Sequence, residues 1–79
     1  MKITLRFFAL ARELTGQTQM EMALPEPATL QTARDRLFQI YPALQGASLQ
    51  FAVNTVYAKS ETALHAGDVV ACIPPVGGG

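Results

Sequence analysis

From Lys2 to Ala9 the chain alternates, with Ile3, Leu5, Phe7 and Ala9 on one face and Lys2, Thr4, Arg6 and Phe8 on the other. A period of two predicts a strand with one buried face, and Phe8 is the apolar exception on the polar side. "ALARELTG" predicts a short helical turn closing at Gly16, since glycine accepts the left-handed conformation that ends helices. "QTQMEMAL" alternates again, bringing Met20, Met22 and Leu24 together, and predicts a second strand paired with the first. After the loop "LPEPA" the period lengthens: Leu30, Ala33, Leu37 and Tyr41 recur at helical spacing, with Phe38 and Ile40 widening the stripe. Gln31, Arg34, Asp35 and Gln39 then face water, and Thr29 stands as the N-cap. Tyr41-Pro42 ends the helix, because a residue before proline avoids the α region, and "PALQGAS" follows as a loop.

"LQFAVN" predicts a third strand with Leu49, Phe51 and Val53 on one face. Asn54-Thr55 turns the chain, "VYA" continues as a short strand, and "KSETALHAGD" reads as a loop ending in the Gly67-Asp68 turn. "VVACI" is apolar on both faces, as expected of a strand that is central in a sheet or covered on both sides. The order β-α-β-α-β-β-β predicts an α+β roll, a mixed sheet of about five strands carrying one main helix. The last strand is expected beside and parallel to the first, because both have central character.

Composition narrows the function more than the fold. Seventy-nine residues make one domain, 49% hydrophobic and 15% charged, outside the disordered class. Six basic and six acidic residues cancel, so nucleic-acid binding has little electrostatic support. No apolar run nears the ~20 residues that span a bilayer, and a soluble cytoplasmic domain is expected. His65, the lone histidine, is expected in a solvated loop, and Cys72, the lone cysteine, as a small buried hydrophobe. Glu13, Glu21 and Glu26 are scattered, with no pair placed for acid-base work. Gly77 to Gly79 form no phosphate loop, since no helix start follows them.

What remains is "IPPVGGG", residues 73–79. A carboxylate becomes an electrophile once ATP converts it to an acyl-adenylate, and a sulfur nucleophile then leaves a thiocarboxylate. Glycines pass a narrow channel without side-chain clashes, which suits delivery of such an end into another protein. Pro74 and Pro75 stiffen the exit and withhold two N–H donors from the sheet. From Val76 to Gly79 the reach is roughly 13 Å. A division follows into a folded domain, residues 1–76, and a flexible glycine tail, residues 77–79.

These stretches resemble the MoaD family, the small subunits of molybdopterin synthase among the ubiquitin-like sulfur carriers. The likeness is carried by "ITLRFFALARELTG" at the start, "FAVN" at 51–54, and above all "LHAGDVVACIPPVGGG" at 64–79. Gly77 departs from the family's usual Ser or Thr and leaves the reacting end, Gly79, in place. The resemblance implies a β-grasp fold and a non-catalytic role. Gly79 is expected to bear the adenylate and then the thiocarboxylate, with Gly78 completing the threading pair. No cofactor is expected to be bound; ATP is used by an E1-like adenylyltransferase partner. A second partner, the large catalytic subunit, is expected in a heterotetramer, where the thiocarboxylate gives sulfur to a pterin precursor to build the molybdopterin dithiolene. An exposed patch of Phe8, Ile73 and Tyr57 near Pro74, Pro75, Val76 and Gly77 is expected to dock that subunit. A carrier for thiamine thiazole synthesis or tRNA thiolation, a ubiquitin-like protein modifier, and a binding module with an inert tail stand as alternatives.

Overall fold

The computed structural model describes residues 1–75. Strand β1 (Lys2–Phe7) leads into the short helix α1 (Leu10–Thr15), which closes at Gly16 with φ +72°. The Gly16 N–H donates to the Arg12 carbonyl at 2.8 Å, the glycine-terminated helix end expected from the sequence. β2 (Gln19–Ala23) returns antiparallel to β1, with Ile3 opposite Met22 and Leu5 opposite Met20. β4 (Gln50–Val53), β5 (Val56–Tyr57) and β7 (Val69–Ile73) complete a five-stranded sheet of order β2-β1-β7-β4-β5. β7 runs parallel to β1 and antiparallel to β4, so the strand with two apolar faces occupies the middle of a mixed sheet, as expected.

Helix α2 (Leu30–Ile40) buries Leu30, Ala33 and Leu37, three of the four positions its period selects. They join one cluster with Ile3, Leu5 and Phe7 of β1, Phe51 of β4, and Val70 and Cys72 of β7. The fourth position, Tyr41, caps the helix and meets Phe7 edge to face, with ring centroids 6.3 Å apart. At the helix start, the Thr29 N–H donates to the Thr32 hydroxyl at 3.1 Å, satisfying a donor that lies outside the helical ladder.

Four local readings are corrected. Ala9 is exposed rather than core, because the strand ends at Phe7 and Ala9 turns away with φ +49° and ψ −121°. Ile40 is exposed as well; it is the last helical residue, and Tyr41 closes the core at that level. "PALQGAS" is a 3-10 helix over Pro42–Ala47 that buries Leu44 and Ala47. The loops "LPEPA" and "KSETALHAGD" contribute β3 (Ala28–Thr29) and β6 (Ala63–Leu64), which pair antiparallel in a second, two-stranded sheet. Each contributes one buried side chain, Ala28 and Leu64, so no alternation is long enough to announce either.

Candidate functional site: the exit of the central strand

The pleat sends alternate residues of the central strands to opposite faces. Toward α2 point Leu5 beside Val70, Phe7 beside Cys72, and Phe51 on the other flank of Cys72. Away from α2 the register sets Arg6 and Ala52 on either side of Ala71, Gln50 beside Ile73, and Tyr57 beside Ala52. Among the described residues, none from a helix lines this second face. Its small residues, Ala52 and Ala71, leave a depression that larger neighbours rim.

The result is an open apolar groove of ≈ 420 Å³ lined by Phe8, Ala52, Thr55, Tyr57, Ala71 and Ile73. It holds all three apolar residues expected at the patch. Phe8 is 42% and Tyr57 62% exposed, while Ile73 is half-buried. The Phe8 N–H donates to the Cys72 carbonyl at 3.4 Å, placing Phe8 beside the end of the central strand. The Arg6 guanidinium lies over the Phe8 ring, 5.7 Å from its centroid, within the range of a cation–π contact. Pro74 is half-buried and Pro75 exposed, so the chain leaves the sheet at the groove's edge. Val76, Gly77, Gly78 and Gly79 lie outside the described residues.

Ala52, Ala71 and Thr55 were missed as groove residues. The alanines were legible in principle: both occupy strand positions facing away from the helix, where a solvated sheet carries polar side chains. Thr55 carried no such signal, because only the shape of its turn aims it at the groove.

The remaining chemistry-bearing side chains stand apart from this exit. His65 is exposed, its ring 3.9 Å from the Asp68 carboxylate. Asp68 accepts from the His65 N–H at 2.7 Å and from the Asn54 amide at 2.9 Å. The Asn54 hydrogen bond, then that of the His65 backbone, holds the Asp68 carboxyl below its ordinary value against the opposing effect of burial. Cys72 is fully buried, and burial pushes its thiol up to about 12, so its side chain packs as a small hydrophobe. Among the described residues no group of three or more His, Cys, Asp or Glu side chains stands close enough to hold a metal ion. No helix among them is long and apolar enough to cross a membrane.

Comparison with known proteins agrees with this geometry. The ThiS family model matches residues 5–79. The molybdopterin synthase sulfur carrier subunit of Arabidopsis thaliana is 32% identical over 81 residues, covering 100% of this chain and 84% of the relative. Among solved structures, a Pyrococcus furiosus candidate for subunit 1 of molybdopterin converting factor superposes with TM-score 0.88 at 28% identity, covering 95% of this chain and 98% of that one. Small archaeal modifier protein 1 of H. volcanii superposes with TM-score 0.86 at 26% identity, again over 95% and 98% of the two chains. A helix-backed mixed sheet whose central last strand runs out beside an open groove defines a ubiquitin-like β-grasp protein. The chain belongs to the ThiS family, and the MoaD-type resemblance read from its opening and closing stretches holds over its full length.

Proposed function

We propose that this protein is the sulfur carrier subunit of molybdopterin synthase. The observation that carries the reading is the end-to-end likeness to a named sulfur carrier subunit, with the family match running through Gly79. In this reading the Gly79 carboxylate attacks the α-phosphorus of ATP in an E1-like adenylyltransferase, releasing pyrophosphate and leaving an acyl-adenylate. A sulfur nucleophile displaces AMP, and the resulting thiocarboxylate enters the large catalytic subunit. There its sulfur bonds to the pterin precursor, water cleaves the acyl–sulfur bond, and Gly79 returns as a carboxylate. Gly78 threads with Gly79, and Val76 and Gly77 bridge from the proline pair to that end. The dithiolene needs two sulfurs per product, which suits a heterotetramer of two small and two large subunits. The carrier itself supplies no catalytic side chain; activation and transfer belong to its partners.

The groove at the strand exit supports the docking half of this reading. Aromatic and aliphatic side chains around an apolar depression, with the reacting chain end leaving at its edge, form an anchor for the large subunit. Incubation with ATP, a sulfur donor and the activating enzyme is expected to exchange one oxygen for one sulfur in the intact mass. Adding the large subunit and the pterin precursor is then expected to discharge the carrier. Deletion of Gly79 is expected to abolish transfer with an unchanged Tm, and a truncated protein that still delivers sulfur would refute the mechanism.

The likeness to an archaeal modifier protein favours one second reading, attachment through Gly79 to lysines of other proteins. The same activated end serves both chemistries, and the acceptor separates them. Isopeptide-linked conjugates in cells, with no discharge to the pterin precursor, would select the modifier. Thiamine thiazole synthesis or tRNA thiolation would instead show as discharge to those pathways' acceptors.

A further inference from the structure

The hairpin between β4 and β5 turns on two residues, Asn54 and Thr55, with φ +49° and +74°. A two-residue turn with both central φ values positive strongly favours Asn-Gly. Asn54 suits the first position; Thr55, branched at Cβ, is strained at the second. Such strain persists where the surroundings over-determine it. Here Asn54 provides the restraint. Its amide donates to Asp68 at 2.9 Å, its side-chain oxygen accepts from the Val69 N–H at 2.9 Å, and its own N–H donates to the Val69 carbonyl at 2.8 Å. Three bonds lock the turn to the start of β7. The locked turn then presents Thr55 on the groove that Phe8, Tyr57 and Ile73 line.

A glycine at this position would satisfy the turn and leave that part of the groove bare. We propose that Thr55 is a specificity-determining contact for the large subunit, held against the groove at the expense of backbone strain by the Asn54 clamp. The inference rests on the docking reading of the groove. It adds that the partner's apolar segment packs on the Thr55 methyl, with a polar group near the hydroxyl. The other flank shows the same feature: Ala9, next to Phe8, also has positive φ, at +49°. Of the four non-glycine residues with positive φ among those described, Thr55 lines the groove, and Ala9 and Asn54 are chain neighbours of its lining residues Phe8 and Thr55.

Three variants of the full chain, titrated calorimetrically against the large subunit, test this. Thr55→Gly is expected to raise Tm by roughly 4 °C and to weaken binding on the order of tenfold. Thr55→Ala keeps the strained Cβ but loses the contact, so binding weakens similarly while Tm moves by less than about 2 °C. Phe8→Arg abolishes binding outright. Wild-type affinity in both Thr55 variants, with Phe8→Arg still inactive, overturns the contact and leaves the docking reading standing. Wild-type affinity in Phe8→Arg as well overturns the docking reading and this inference with it. Weakened binding without the Tm rise in Thr55→Gly overturns the strain.

Discussion

Phe7 and Phe8 are neighbours in sequence and opposites in environment. Phe7 is 2% exposed, packed with Leu5, Leu37 and Cys72 beneath α2, and edge-on to Tyr41. Phe8 is 42% exposed on the uncovered side, with Arg6 over its ring and the groove beside it. The same contrast runs along the central strand, where Val70 and Cys72 are fully buried while Ala71 and Ile73 are half-buried. One face of the sheet holds the fold together. The other leaves Phe8 and Tyr57 exposed and Ile73 half-buried, the apolar surface to which the proposed partner is assigned.

The largest test of this division separates the two phenylalanines. Phe7→Ala is expected to cost about 3–5 kcal/mol, from lost burial and the cavity left beneath the helix. A domain this size has roughly 4–12 kcal/mol in all, so the variant will be largely destabilised by urea melt or calorimetry. Phe8→Arg is expected to stay within about 0.5 kcal/mol of wild type and to fail at docking. An equal loss of stability in both would break the division between fold face and docking face.

A smaller test compares adjacent positions on the central strand. Cys72→Ser places a hydroxyl where no partner waits, and about 1–3 kcal/mol of stability is expected to go. Ala71→Ser on the open side is expected to change stability by less than about 0.5 kcal/mol. The thiol offers an independent readout: with its titration pushed up to about 12 by burial, alkylation of Cys72 is expected only through unfolding. Rapid labelling of native protein would show that the covered face opens.

The division is largely legible in the sequence, where repeated positions carry it. Alternation from Ile3 to Phe7 located the buried side of β1, and the apolar run at Val69–Ile73 located the central strand. A helical period over several turns located α2. Phe8 stands out as an apolar residue on the polar face of β1 and Ile73 as apolar on the face opposite Cys72, and the structure brings them to one groove with Tyr57. What failed was short or set by tertiary contact. β3 and β6 have two residues each, fewer than a period needs, and Ile40 matches the helical stripe but is the last helical residue, where Tyr41 closes the core. Thr55 is the clearest case, because the role proposed for it rests on a left-handed backbone that composition does not report.

The smallest expected effect falls where the two faces meet, at the Asp68–Asn54 clamp. The inner face is held by apolar burial, which is indifferent to acid; the clamp is held by a carboxylate. Asn54 first, then the His65 N–H and the charge of His65, depress the Asp68 carboxyl in the fold. A group whose folded pKa lies below its unfolded value of about 3.9 adds stability above that value and loses it as the pH falls through the folded one. Wild-type stability is therefore expected to hold across neutral pH and to decline below about pH 4, with this contribution gone at lower pH. Asp68→Asn keeps an acceptor for the Asn54 amide but gives up one for the His65 N–H, costing about 1 kcal/mol near neutrality. It should also flatten the acid limb, so the difference between variant and wild type narrows as the pH falls. Amide exchange locates the effect: below about pH 4 the Asn54 and Val69 amides are expected to lose protection while Leu5 and Val70 keep theirs. Simultaneous loss at all four would mean that clamp and core open as one unit, and that the turn presenting Thr55 is no looser than the core behind it.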